Sequence, residues 1–386
     1  MKRLLFLLAA CSLFSFCPLR LWADDELKIE PNLHKWGLEL DLDWSPFALL
    51  PGRQTTLWAG LEGDYSSWNY FHDPVSGDAL SSADLGSASV TETRGLWFLG
   101  VSQGLVPQAD ALGPGSRPWA DRDLLEAFAY YRGVDYDVLS SGSYLSDSGA
   151  PDKNGYLETS FLAGLSLDRT TQFDAHDLKQ GYLLEVSTAY APRSLQSVDV
   201  DFERLTAVLQ GFIPLWDMKP ESRLNELSLL GAVNLAADRL WGDSIPSEER
   251  QVIGGRAWNG VGGWESGVGG AVRGIEDGFF DGTGKAVANA ELRLNLPSFE
   301  LRDPFDLPLI DRTVVLVPGL LAFVDGGLYD GLLGQDTGAV LSAGFGAYLT
   351  VMKYGTLAVY NNYWLVGASS HKSVAVPWTI ELGMHF

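Results

Sequence analysis

Apolar and polar residues alternate with a period of two along much of this chain. At its C-terminal end Trp378, Ile380, Leu382, Met384 and Phe386 are apolar, with Thr379, Glu381, Gly383 and His385 between them. In an extended strand this puts five apolar side chains on one face. Trp36, Leu38, Leu40, Leu42 and Trp44 alternate in the same way with Gly37, Glu39, Asp41 and Asp43. Ala290, Leu292, Leu294 and Leu296 alternate with Asn289, Glu291, Arg293 and Asn295. About 13 segments carry the pattern: 33–47, 53–71, 86–103, 121–138, 155–168, 179–191, 200–214, 225–242, 286–298, 313–326, 337–351, 356–367 and 375–386. The pattern predicts an all-β chain.

Two architectures share such strands. A soluble sandwich has one wet face, and an outer-membrane barrel turns its apolar face to lipid and its polar face to the lumen. The N-terminus weighs between them. Lys2 and Arg3 precede the apolar run Leu4 to Phe16, and Ala23 stands before Asp24 and Asp25. That order is the mark of a secretory signal peptide, 1–23. A second reading of the same segment is a lipobox, Leu8-Ala9-Ala10-Cys11, with Cys11 lipidated. No later apolar run is long enough to span a membrane as a helix. The longest, Val314 to Val324, is broken by Pro318-Gly319. An exported chain of alternating strands with a Trp at both ends of one of them favours the barrel, since aromatic rings settle at membrane interfaces.

The expectation is therefore a transmembrane antiparallel β-barrel of the bacterial outer membrane, with about 14–16 strands. Bacterial single-chain barrels have even numbers. The expected organisation is a signal peptide at 1–23, a short periplasmic leader at 24–32 and the barrel at 33–386. If the last strand descends to the periplasm, the Gly-rich segment 243–286 becomes a long external loop, and loops of that length usually carry function. Pro318 lacks a ladder donor, so a bulge or irregular pairing is expected there.

Composition changes the picture in two ways. The net charge of −22, from 27 Lys+Arg against 49 Asp+Glu, argues against a nucleic-acid partner, which needs clustered cations. Removing 1–23 takes away Lys2, Arg3 and Arg20 and no acid. The two cysteines, Cys11 and Cys17, both lie in that segment, so the rest offers no disulfide, thiolate-bound zinc or thiol nucleophile. His34, His72, His176, His371 and His385 have no metal-ligand spacing. No Gly-x-Ser-x-Gly elbow or P-loop accompanies Ser160 or any other serine. No enzyme activity and no cofactor are expected.

The long loop contains Gly269-Gly270-Ala271-Val272-Arg273-Gly274. Asn289-Ala290-Glu291-Leu292-Arg293 and Phe323-Val324-Asp325-Gly326-Gly327 follow. With Leu235-Ala236-Ala237-Asp238-Arg239, Ser342-Ala343-Gly344-Phe345-Gly346 and the terminal Phe386, this order resembles the Omp85 superfamily, the bacterial surface-antigen type of outer-membrane barrel. The resemblance covers about 180–386. It implies a long loop folded into the barrel, with Val272, Arg273 and Gly274 meeting Glu291 and Asp325 as a latch. It also implies that Trp378, Ile380, Leu382, Met384 and Phe386 form the signal read by the barrel-assembly machinery.

Family members insert barrel proteins into the outer membrane or move polypeptides across it, with periplasmic POTRA domains that collect clients. Alternation here begins about 12 residues after Ala23, so the expectation is a member without POTRA domains. The implied role is outer-membrane assembly or transport of proteins or lipids. The implied partners are outer-membrane lipids, the assembly machinery and a separate periplasmic client-binding protein. Two other roles fit the residues: a passive porin-like channel with an acidic, cation-favouring lumen, and a structural surface antigen.

Overall fold

A computed structural model describes residues 27–34, 37–47, 49–51, 53–69, 89–106, 124–142, 153–173, 178–216, 227–246, 249, 251–253, 272–275, 280–302, 313–331, 338–351, 355–366 and 377–382. The signal-peptide segment, Met384 and Phe386 lie outside them. The strands are β1 (Leu27–His34), β2 (Gly37–Phe47), β3 (Thr55–Asn69), β4 (Ser89–Val106), β5 (Leu125–Ser141), β6 (Gly155–Asp168), β7 (Thr171–Phe173), β8 (Leu178–Ala191), β9 (Asp201–Trp216), β10 (Ser228–Ser244), β11 (Gln251–Ile253), β12 (Phe280–Asn295), β13 (Phe299–Arg302), β14 (Thr313–Gly331), β15 (Gly338–Val351), β16 (Gly355–Val366) and β17 (Trp378–Leu382).

Fourteen of them form an antiparallel meander in chain order. The short β7, β11 and β13 extend neighbouring hairpins through their pairing with β8, β12 and β14. Neighbouring strands pair throughout, from β1–β2 to β16–β17. With an even number of crossings, the two end strands have their termini at the same end of the sheet. The segment between β10 and β12 lies at the opposite end.

The two faces are chemically inverted relative to a soluble protein. Leu99, Phe161, Leu165, Leu205, Ile213, Leu235, Leu292, Val324, Phe345 and Ile380 are exposed, and Ile380 is 70% so. Arg132, Glu158, Asn234, Asp325 and Arg273 are buried. No α-helix covers the sheet among the described residues. A single sheet can bury charged groups on one face only by wrapping around that face, and the apolar outer surface then belongs against acyl chains. Trp44 and Trp216 lie on the outer face near the end that carries the termini, and Trp241 lies near the other end.

Three particulars differ from the sequence expectations. Leu27–His34 is a strand paired with β2, so most of the segment assigned to a leader already belongs to the sheet. Pro31 interrupts its alternation of Leu27, Ile29 and Leu33 and hides it. It raises the 13 legible segments to an even 14. The connection assigned to 243–286 shrinks to 245–279, because β10 runs to Ser244 and β12 starts at Phe280. Asp281, Gly282, Thr283 and Gly284 mask that start.

Pro318 stands at the irregularity expected of it: the β12 ladder stops at Asn295–Gly319, and β13 resumes at Phe299–Leu316 one residue out of register. Toward β15 it keeps regular register with Leu349, and its carbonyl accepts from Leu296 N at 2.9 Å. A residue's N and O point to the same side of a strand, so its missing donor faces the end of β12 rather than the β15 ladder. Finally, the interior is not uniformly polar. Trp58, Leu96, Phe98, Phe128, Tyr130, Val134, Tyr136, Tyr156 and Leu162 form an enclosed apolar cluster on β3 to β6.

Candidate functional site

On the opposite side of the interior, β12 and β14 are neighbours and turn Glu291 and Asp325 inward. Asn289 pairs with Asp325 and Glu291 with Phe323, so the two carboxylates stand diagonally across the ladder. That diagonal leaves ~7–8 Å between backbone positions, enough for a side chain to enter between them. Unaccompanied, two buried carboxylates so placed would repel each other and lose their hydration.

Arg273 of the long loop fills that position. Its Nε donates to Asp325 Oδ2 at 2.7 Å and its Nη2 to Oδ1 at 2.9 Å, a two-pronged contact that fixes orientation as well as distance. Its Nη1 donates to Glu291 Oε1 at 2.5 Å, and its backbone N to Asp325 Oδ2 at 3.1 Å. Arg293 completes the set by donating from Nε to Glu291 Oε2 at 2.6 Å. Two guanidinium groups and two carboxylates thus sit together away from water. Burial works against the charge on Arg273, but Glu291 and Asp325 outweigh it and hold the guanidinium above its ordinary pKa.

Aromatic faces close the site. The Arg273 guanidinium carbon lies 3.7 Å from the centre of the Phe323 ring and 4.8 Å from that of Tyr360, within cation–π range. Phe323 and Tyr360 meet edge to face with centroids 5.9 Å apart. Gly344, opposite Phe323 on β15, leaves room for the ring: a Cβ there would collide with Phe323 and with the carbonyl of Asn361. Val272 and Ile275 are buried on either side of the arginine. Gly274 has φ of 89°, a left-handed turn that other residues adopt at a cost.

The structure therefore brings together Val272, Arg273, Gly274, Glu291 and Asp325. Gly269, Gly270 and Ala271 lie outside the described residues. The C-terminal set is a separate feature: Trp378 and Ile380 are exposed on β17. Leu382 ends that strand, while Met384 and Phe386 fall outside the described residues. Sequence reasoning missed Tyr360 and the latch role of Arg293. Arg293 was signalled by its place two residues from Glu291, on the same face of β12. Tyr360 had no signal beyond inward phase.

More buried charge lies elsewhere in the interior, on Arg132 of β5, Glu158 of β6, Arg204 of β9, Asp238 of β10, Lys285 of β12 and the loop residue Glu249. Arg132 Nε donates to Ser160 Oγ at 2.8 Å, which gives that serine a structural partner. No cluster of His, Asp or Glu suited to a metal ion occurs among the described residues.

No family model matches the sequence, and no curated protein matches it. Among solved structures, the chain is similar to BamA from Haemophilus ducreyi lacking POTRA domains 1–3. The identity is 11%, over 92% of this chain and 63% of that one, with a TM-score of 0.47. It is similar to CdiB from Escherichia coli at 15% identity, over 92% and 54%, with a TM-score of 0.47. It is also similar to CdiB from Acinetobacter baumannii at 11% identity, over 92% and 52%, again with a TM-score of 0.47. The chain thus spans between about half and two thirds of the length of these structures. By motif order the chain resembles an Omp85-type barrel.

Proposed function

We propose that this protein is an Omp85-type barrel of the bacterial outer membrane, acting in the assembly of outer-membrane proteins or in the transport of polypeptides or lipids. The observation that carries the reading is Arg273. A loop residue reaches two carboxylates on the inner wall and is held by four hydrogen bonds and two aromatic faces. A barrel that handles a chain has a use for a loop fastened so firmly into its lumen, because a fixed internal element can present a surface to the client and keep the pore shut between clients. The latch is the element whose state such an activity would depend on. The enclosed aromatic cluster also weighs against a wide aqueous channel. Catalysis is no part of this reading, which needs no cofactor.

Reconstitution tests it. The protein is inserted into liposomes, and a urea-denatured eight-stranded barrel is added as client. Faster client folding than with empty liposomes is the expected result. No acceleration, together with a steady cation-selective conductance in planar bilayers, would instead identify a porin-like channel.

A further inference from the structure

The long loop reaches the wall at a second place, twenty-four residues before Arg273. Glu249 lies just after the end of β10 and is buried. Its approach is built locally. Ile245 packs against the buried Ala191, Phe202 and Leu240. A tight turn follows, closed by Glu249 N donating to Pro246 O at 3.3 Å.

The carboxylate then meets cations from two strands. Arg204 Nη2 on β9 lies 2.8 Å from Glu249 Oε2 and also donates to the Glu249 carbonyl at 3.0 Å. Arg132 Nη2 on β5 lies 3.8 Å from Oε2. Tyr136 Oη donates to Oε1 at 3.3 Å. The wall arginines are themselves positioned. Arg132 is held by Ser160 at 2.8 Å and lies 3.5 Å from Glu158, and Arg204 lies 3.7 Å from Asp238.

We infer that Glu249 is a second tether of the long loop, reversed in charge from the first. At Arg273 the loop supplies the cation and the wall of β12 and β14 supplies two acids. At Glu249 the loop supplies the acid and the wall of β5 and β9 supplies two cations. The two tethers grip different strands, and β11, between them in sequence, pairs with β12. The two side-chain tethers thus hold the loop both before and after that pairing, as a strap. The opposite signs also prevent exchange. Glu249 at the Arg273 position would face Glu291 and Asp325, and Arg273 at the Glu249 position would face Arg132 and Arg204. The register of the loop is set by repulsion as well as attraction.

Trypsin reads the strap directly, because Arg250 and Arg256 lie between the tethers in sequence. Full-length protein purified in detergent is digested, and cleavage at these two sites is followed by mass spectrometry. A gel of unboiled sample checks that the barrel is folded. Cleavage follows the population of the released loop when opening is fast. The loss of a charged hydrogen-bonded contact predicts cleavage about tenfold faster or more in Glu249→Gln than in the wild type. Arg273→Ala should accelerate cleavage too, and the two changes together should exceed either.

Removing Glu249 alone leaves Arg204 and Arg132 opposed, and the barrel could fail to fold for that reason. The double variant Glu249→Gln with Arg204→Gln removes one charge of each sign and keeps the shape. A folded double variant with fast cleavage supports the tether. Unchanged cleavage in either folded variant overturns it. Failure of both variants to fold would make the cluster a determinant of the wall instead, and would equally overturn it. No client enters the experiment, so its result is independent of the proposed function.

Discussion

Two regions of the interior are filled with rings and charge in different proportions. On β3 to β6 aromatic packing predominates beside the buried Arg132 and Glu158: Phe98 meets Tyr130 edge to face at 5.7 Å, and Tyr136 stacks on Tyr156 at 5.1 Å. On β9 to β16 charge is denser, with Arg204, Asp238, Lys285, Glu291, Arg293 and Asp325 inward beside the smaller ring clusters of Phe212, Phe323 and Tyr360. Apolar packing is additive and forgiving, since each ring contributes through its own contact area. Buried charge is conditional, because each group is tolerable only while its partners stand in place. The aromatic region meets the loop through Tyr136, which donates to Glu249. The charged region is completed by the loop, which makes it the part where a conformational state can be stored.

The strongest way to break that contrast is Arg273→Ala. It strands Glu291 and Asp325, and the expected loss is about 3–5 kcal/mol, seen as a lower temperature at which the barrel unfolds on a gel. Single-channel conductance should rise at the same time. Unchanged conductance and unchanged heat stability would remove the latch. Next is Phe98→Ala in the aromatic region. Here the expected cost is about 3 kcal/mol from lost packing and a cavity, with conductance and tryptic protection of the loop unaltered. An opened loop in this variant would show that the regions are not independent.

The smallest effect sharpens the comparison. Glu249 faces Arg132 and Tyr136 from β5, Glu158 from β6 and Arg204 from β9, with Asp238 of β10 behind Arg204. Burial pushes the Glu249 carboxyl up, but Arg204, then Arg132, outweigh it and hold the group below its ordinary value of 4.5. A carboxylate depressed on folding contributes stability above its unfolded pKa and loses it only as pH falls through the lower folded value. Acidification to about pH 5 should therefore leave cleavage at Arg250 and Arg256 as slow as at neutral pH, using a protease active at both. Release at pH 5 would mean that the arginines do not control this group.

The strands and the sidedness of the sheet were legible in the sequence because the strand period is a local property. Leu292 outside and Glu291 inside follow from alternation alone. The Arg273 latch was legible for a different reason, the resemblance of motif order to a known family, and no pattern of spacing would have paired a loop residue with β14. β1 was hidden by Pro31, and the start of β12 by its glycines.

What the sequence determined by itself was which residues share a face, since side chains alternate along any extended strand whatever its neighbours. What only the tertiary structure decided was which inward residues meet. Arg132, Arg204 and Glu249 are far apart in the chain and gather in one place because the sheet wraps and the loop enters it. Sequence also gave no warning that rings cluster on the inward face of β3 to β6 beside the charges. The same inward phase accepts either, and the choice depends on what stands across the enclosed space.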